Sequence, residues 1–178
     1  MTRRAWRALL AAGAAVVVLH VTEQLFTAPA FVDALSGFTL GLAGGRSVRF
    51  SALVYAALGW AGLVGVGAFA WAASEKWPRA ATAAAAWVAV LLVASAASHL
   101  WASIRMRHYT PGLFSGVLAG APFGVYFVAL SVRGGRLGRR AMTAVVTLGV
   151  LLAPVALLVL YVIALATLYA LSAVGAVG

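Results

Sequence analysis

A chain of 178 residues that is 65% hydrophobic and only 9% charged, with a mean hydropathy of +1.05, is far too apolar for an ordinary soluble domain and is expected to be an integral membrane protein. Thirteen Lys and Arg against three acids give a net charge of +10, but the cations fall in short breaks between apolar runs, where they meet lipid headgroups, so no basic soluble domain is available to bind nucleic acid. Cysteine is absent, which excludes disulfides, thiolate metal sites, iron–sulfur clusters and thiol redox chemistry.

A helix crosses a hydrocarbon core about 30 Å thick with about 20 apolar residues. The first run that qualifies, at about 8–28, follows Arg3, Arg4 and Arg7 and carries His20, Glu23 and Gln24. Ala28, Pro29 and Ala30 have the A-x-A form of a signal-peptide cleavage site, but they lie too far beyond Leu19, so the run is read as a span. Residues 31–49 are mildly apolar and Gly-rich, and are expected to lie in the interface or dip back toward the bundle. Further spans follow at about 51–73, 81–103, 113–132 and 141–171. The last apolar run is too long for one upright span and too short for two, which predicts a single long helix kinked near Pro154. The fold class is therefore all-α: a polytopic membrane bundle of about five transmembrane helices in one domain, 1–178.

With five spans, nine of the thirteen cations fall on the side of the N-terminus, leaving Arg46, Arg49, Arg105 and Arg107 on the other. The positive-inside rule then predicts a multi-pass cell-membrane protein with a cytoplasmic N-terminus and an external C-terminus. Trp6, Trp71, Trp77 and Trp101 lie at span ends and are expected to anchor in the interface, whereas Trp60 and Trp87 are expected to pack within the bundle. Gly112, Gly116, Gly120 and Gly124 leave one face of the fourth span bare, a packing surface for which the second span, with Gly59, Gly62, Gly65 and Gly67, offers a partner. Such small-residue faces also allow homo-oligomerisation.

Residues three and four apart share a helix face, so His20, Glu23, Gln24 and Thr27 form one polar stripe and Ser95, Ser98, His99 and Ser103 another. The first and third spans run the same way through the membrane, which puts both stripes near one face, external by the charge rule, together with His108 and Tyr109 of the break "RMRHYTPG". An ionisable residue in lipid is costly and faces a bundle interior or a wet cavity, so function is the default reading. The bland alternative is a satisfied network in which His20, Glu23 and His99 clamp helices together at about 1 kcal/mol per contact.

"HVTEQ" at 20–24 and "SHLWASIRMRHYTPGLFSGVLAGAPFGVY" at 98–126 resemble the bacterial HXXEE-motif membrane protein family, whose function is unassigned. The resemblance covers roughly Ala8 to Val132 and carries the motif onto His20 and Glu23, the second histidine onto His99, and a YXPG motif onto Tyr109, Pro111 and Gly112. The second glutamate of the family is Gln24 here, which removes a charge and a strong metal ligand but keeps hydrogen-bonding capacity.

Two function classes follow. In the first, an intramembrane enzyme acts on an isoprenoid or lipid by isomerisation, cyclisation or hydrolysis: His20 and Glu23 form the acid–base pair, His99 and Tyr109 orient the substrate or stabilise charge, and Gln24, His108 and Trp101 line the substrate. No cofactor is expected; a single Zn²⁺ or Fe²⁺ on His20, Glu23 and His99 ranks below metal-free chemistry, and bis-histidine haem ligation lower still. In the second class the protein is a small transporter, a proton-coupled permease subunit or an assembly partner, with Glu23 as the titrating or structural group. Membrane lipid or a lipophilic small molecule is the expected partner in the enzymatic reading.

Overall fold

A computed structural model of the chain describes residues 1–28, 39–41, 47–74 and 77–173. Five helices among them are long and apolar enough to cross a membrane, and the protein is a multi-pass membrane bundle. Helix α1 is Arg3–Thr27, α2 Phe50–Ala73, α3 Pro78–Met106, α4 Leu113–Arg133 and α5 Arg139–Ala173, each within a few residues of the expected span. A short antiparallel ribbon, β1 (Thr39–Gly41) with β2 (Ser47–Arg49), leads into α2 and pairs Leu40 with Val48. The remainder of residues 31–49, expected at the interface or dipping toward the bundle, lies outside the described residues.

Local chemistry sets the helix ends. The Thr2 side chain accepts from the Ala5 N–H at 3.2 Å and caps α1. Pro78 opens α3, where its missing N–H is one the first turn does not use. Gly112 precedes α4 with φ +85°, and a Cβ there would meet Gln24 Cγ at 2.7 Å, so backbone angle and space both favour glycine. Within α4 the residues Gly116–Gly120 form one π-helical turn, and Pro122, which has no N–H to give, stands two residues beyond it. Helix α5 runs through Pro154 as one element, as expected for a single long helix.

Helix α3 is central: 50% of its most apolar stretch is buried, against 11% for α5. The bare face of α4 packs on α3 rather than on α2: Gly116 lies against Ala96, Gly120 against Leu92, and Gly124 so close to the Ala89 carbonyl that no Cβ fits. On α2, Gly62 and Gly65 receive Val21 and Val17 of α1, while Gly59 and Gly67 face open space. The expected pairing of the two glycine faces is therefore corrected: β-branched Val side chains fill the α2 glycines, and the Ala-rich α3 is the surface thin enough for α4 to approach.

The main core joins α1, α2 and α4 through aromatic rings. Trp6 and Phe127 lie 5.4 Å apart, and Phe69 meets Phe127 edge-on at 5.5 Å. Trp6 is 1% exposed and carries the Arg136 guanidinium 4.8 Å above its ring, so it is a core residue and not the expected interfacial anchor. Trp71, Trp77 and Trp101 are exposed at helix ends. Trp60 and Trp87 pack on α5 as expected, Trp60 donating to Thr167 Oγ1 at 3.1 Å and Trp87 lying against Gly149.

Candidate functional site

The polar stripes of α1 and α3 meet at one membrane face, where the break between α3 and α4 closes over them. Glu23 reaches across to the first turn of α4: its carboxylate accepts from the Phe114 N–H at 3.0 Å, the Ser115 N–H at 2.6 Å and the Tyr109 hydroxyl. Helix N-termini leave backbone N–H groups without intrahelical acceptors and carry partial positive charge, so a carboxylate there is stabilised as an anion without any cation beside it. Glu23 thus does for α4 what an N-cap residue does for its own helix.

His20 is 5% exposed, and both of its nitrogens are used: Nδ1 lies 3.0 Å from Ser115 Oγ and Nε2 3.0 Å from Ser95 Oγ. A neutral imidazole has one N–H and one bare nitrogen, so His20 donates to one of these serines and accepts from the other. His20 thus joins Ser95 to Ser115, whose backbone N–H donates to Glu23, and Tyr109 donates to the same carboxylate.

Gln24 and His99 form a second bridge at 3.0 Å between Gln24 Nε2 and His99 Nε2. An amide nitrogen only donates, so His99 accepts at Nε2 and carries its proton on Nδ1. The His20 and His99 rings stand edge to face with centroids 5.7 Å apart. Behind them Thr110, buried, donates to the His99 carbonyl at 2.8 Å and pairs its hydroxyl with Ser103 at 2.7 Å, which fastens the break onto α3. Tyr109 is 52% exposed at the rim; burial first, then the hydrogen bond and charge of Glu23, push its phenol above the ordinary value.

His20, Glu23, Gln24, His99 and Tyr109 are therefore brought together. His108 is exposed and makes no hydrogen bond to the described residues, and Trp101 is 67% exposed, two positions beyond His99 and so on another face of α3. The expected direct His20–Glu23 pair is replaced by one routed through Ser115. Sequence reasoning passed over Ser115 and the two α4 amides; serine in an apolar helix carries no signal of its own, and backbone donors carry none at all.

Among the described residues no three of His, Cys, Asp and Glu converge as a metal-ligand set. The Glu23 oxygens are taken by α4 amides, both His20 nitrogens by serines and His99 Nε2 by Gln24, so the residues do not fit a single Zn²⁺ or Fe²⁺.

The model of a family described as a protein of unknown function with HXXEE motif matches residues 11–127. No curated protein and no solved structure matches the chain.

Proposed function

The chain belongs to the HXXEE family, and from that premise we propose that it is an intramembrane acid–base enzyme working on a lipophilic substrate at the membrane face where Glu23 and Tyr109 meet. The observation that carries this reading is the half-exposed Tyr109 hydroxyl donating to a carboxylate that backbone amides keep anionic. Tyr109 touches the substrate. As its oxygen takes a proton from the substrate, its own proton passes to Glu23, and the reverse transfer returns a proton at another atom, which is an isomerisation. His20, bonded to the Ser115 whose backbone N–H donates to Glu23, holds the carboxylate in place. By the positive-inside rule the end of the bundle that gathers Arg3, Arg4, Arg7, Arg79, Arg133, Arg136, Arg139 and Arg140 faces the cytoplasm, and the site opens outward. An isoprenoid or other membrane lipid fits the exposed Phe26 and Phe114 around the rim.

The test incubates purified protein with a lipid extract of the cells that make it and follows the lipids by chromatography and mass spectrometry. Conversion of one species by the unaltered protein, lost in both Glu23→Gln and Tyr109→Phe while Tyr109→Phe keeps its helicity, supports the reading. No conversion by folded protein sinks it.

The closed hydrogen bonding of the cluster favours a second reading, a non-enzymatic membrane protein in which Glu23 and His20 lock α1, α3 and α4 for assembly. It predicts that Glu23→Gln and His20→Ala lower the amount of folded protein in the membrane and change nothing else.

A further inference from the structure

We infer that the protein holds an anionic phospholipid at the membrane face opposite the Glu23 cluster, its acyl chain in a groove between α3, α4 and α5 and its headgroup on Arg133 and Arg139. The groove has a volume of about 440 Å³, within the roughly 300–1,000 Å³ range of ligand pockets, and its walls include Val90, Val93, Val125, Ala129, Val146 and Val150. It exists because α5 leans on α2 and α3 and scarcely touches α4.

Its two outer walls end in arginines. On α4, Val125, Ala129 and Arg133 succeed one another at intervals of four, along one face. On α5, Arg139, Val146 and Val150 are separated by seven and four, again one face, so Arg139 stands two turns above the groove. The turn between the helices is tight, with the Arg136 and Leu137 N–H groups both donating to the Ser131 carbonyl at 3.0 and 3.1 Å, and Leu137 buried beneath it. That closure keeps the two arginines at one level. Both are exposed, and Arg140 adds a third cation beside them.

The charge pattern selects the occupant. Among the described residues Glu23 is the one acid, and it lies at the far face, so nothing described neutralises this arginine edge. An apolar lining with Arg133, Arg139 and Arg140 beyond the end away from Glu23 is complementary to an amphiphile with an anionic head and an apolar tail. A second copy of the chain would bring the same arginines to the same edge.

The experiment takes the full chain in neutral detergent and offers equal amounts of dioleoylphosphatidylglycerol and dioleoylphosphatidylcholine, reading retained lipid by native mass spectrometry. About tenfold preferential retention of one phosphatidylglycerol is expected. Arg133→Gln/Arg139→Gln should bring the two lipids to parity, Ala129→Phe should displace both, and Arg105→Gln/Arg107→Gln at the other face should leave the preference intact. Helicity of each variant is checked by circular dichroism, and Arg133→Lys/Arg139→Lys, which keeps the charge, should keep most of the preference. Equal retention of both lipids by the unaltered protein overturns the inference. So does a preference that survives Arg133→Gln/Arg139→Gln, or one lost equally at Arg105 and Arg107.

Discussion

Two helix junctions in this bundle are held in opposite ways. Where α1, α3 and α4 meet, Glu23, His20, Gln24, Ser95, His99, Tyr109 and Ser115 bond across helices at defined distances. Where α2 and α5 meet, Leu53, Ala57, Ala164 and Leu168 pack as an apolar patch, with the Trp60–Thr167 bond as its polar contact among the described residues. Lipid tails are as apolar as Leu, so burying Leu53 against α5 gains little over burying it in the bilayer, and such a surface tolerates sliding. A carboxylate on two named backbone amides does not slide. The polar junction fixes register; the apolar one supplies area.

The largest effect that separates the junctions is expected from Glu23→Ala. It strips acceptors from two α4 amides and Tyr109 at once, at roughly 0.6 to 1.5 kcal/mol each, so a loss of about 2–4 kcal/mol is expected in unfolding from mixed micelles. Trp60→Phe, which removes the polar contact of the other junction, should cost about 0.6 kcal/mol in the same assay. Equal losses would mean that Glu23 does not fix the register of α4.

Steric closeness offers a milder contrast. At Gly124 an added side chain runs into the Ala89 carbonyl and Val93, so Gly124→Val should push α4 from α3 at about 1–3 kcal/mol. Gly59 faces open space, and Gly59→Val should stay within about 0.5 kcal/mol of the parent. The same melting experiment reads both. If Gly59→Val proves the worse of the two, the α3–α4 contact is not the close one.

The comparison also explains what the sequence could disclose. Five spans were legible because apolar length is a composition signal, and the stripes of His20, Glu23 and Gln24 and of Ser95 and His99 because helical spacing places them. The meeting of both stripes with Tyr109 at one face followed from the parallel sense of α1 and α3. Partners were not legible. Glu23 was expected to pair with His20, yet it binds amides of Phe114 and Ser115, groups that every residue possesses. The glycine face of α4 packs on Ala89, Leu92 and Ala96 of α3 rather than on the glycines of α2 because a small-residue surface also admits close approach, and Gly62 and Gly65 of α2 are filled by Val21 and Val17. Gln24 shows the limit most clearly. Its amide donates to His99, whereas a glutamate in that position, as the family motif has it, would accept there and require the histidine to donate.

The smallest expected effect concerns Tyr109, which stands at the edge of the polar junction and senses it by titration more than by stability. Its phenol is raised first by burial and then by the Glu23 carboxylate, since a phenolate beside a carboxylate would be a like-charge pair that gives up a hydrogen bond. For an acid whose folded value is raised, the neutral form is favoured by folding. The stabilisation is complete below the ordinary value of about 10 and fades as pH rises through the raised one. Phenolate absorbance of the unaltered protein minus that of Tyr109→Phe isolates this group from the other tyrosines, and its midpoint should lie above about 10. Glu23→Gln removes the carboxylate charge and should move the midpoint down, whereas a conservative change at the apolar junction, Trp60→Phe, should not move it. A midpoint that ignores Glu23→Gln would uncouple Tyr109 from the carboxylate and remove the ground for proton transfer between them.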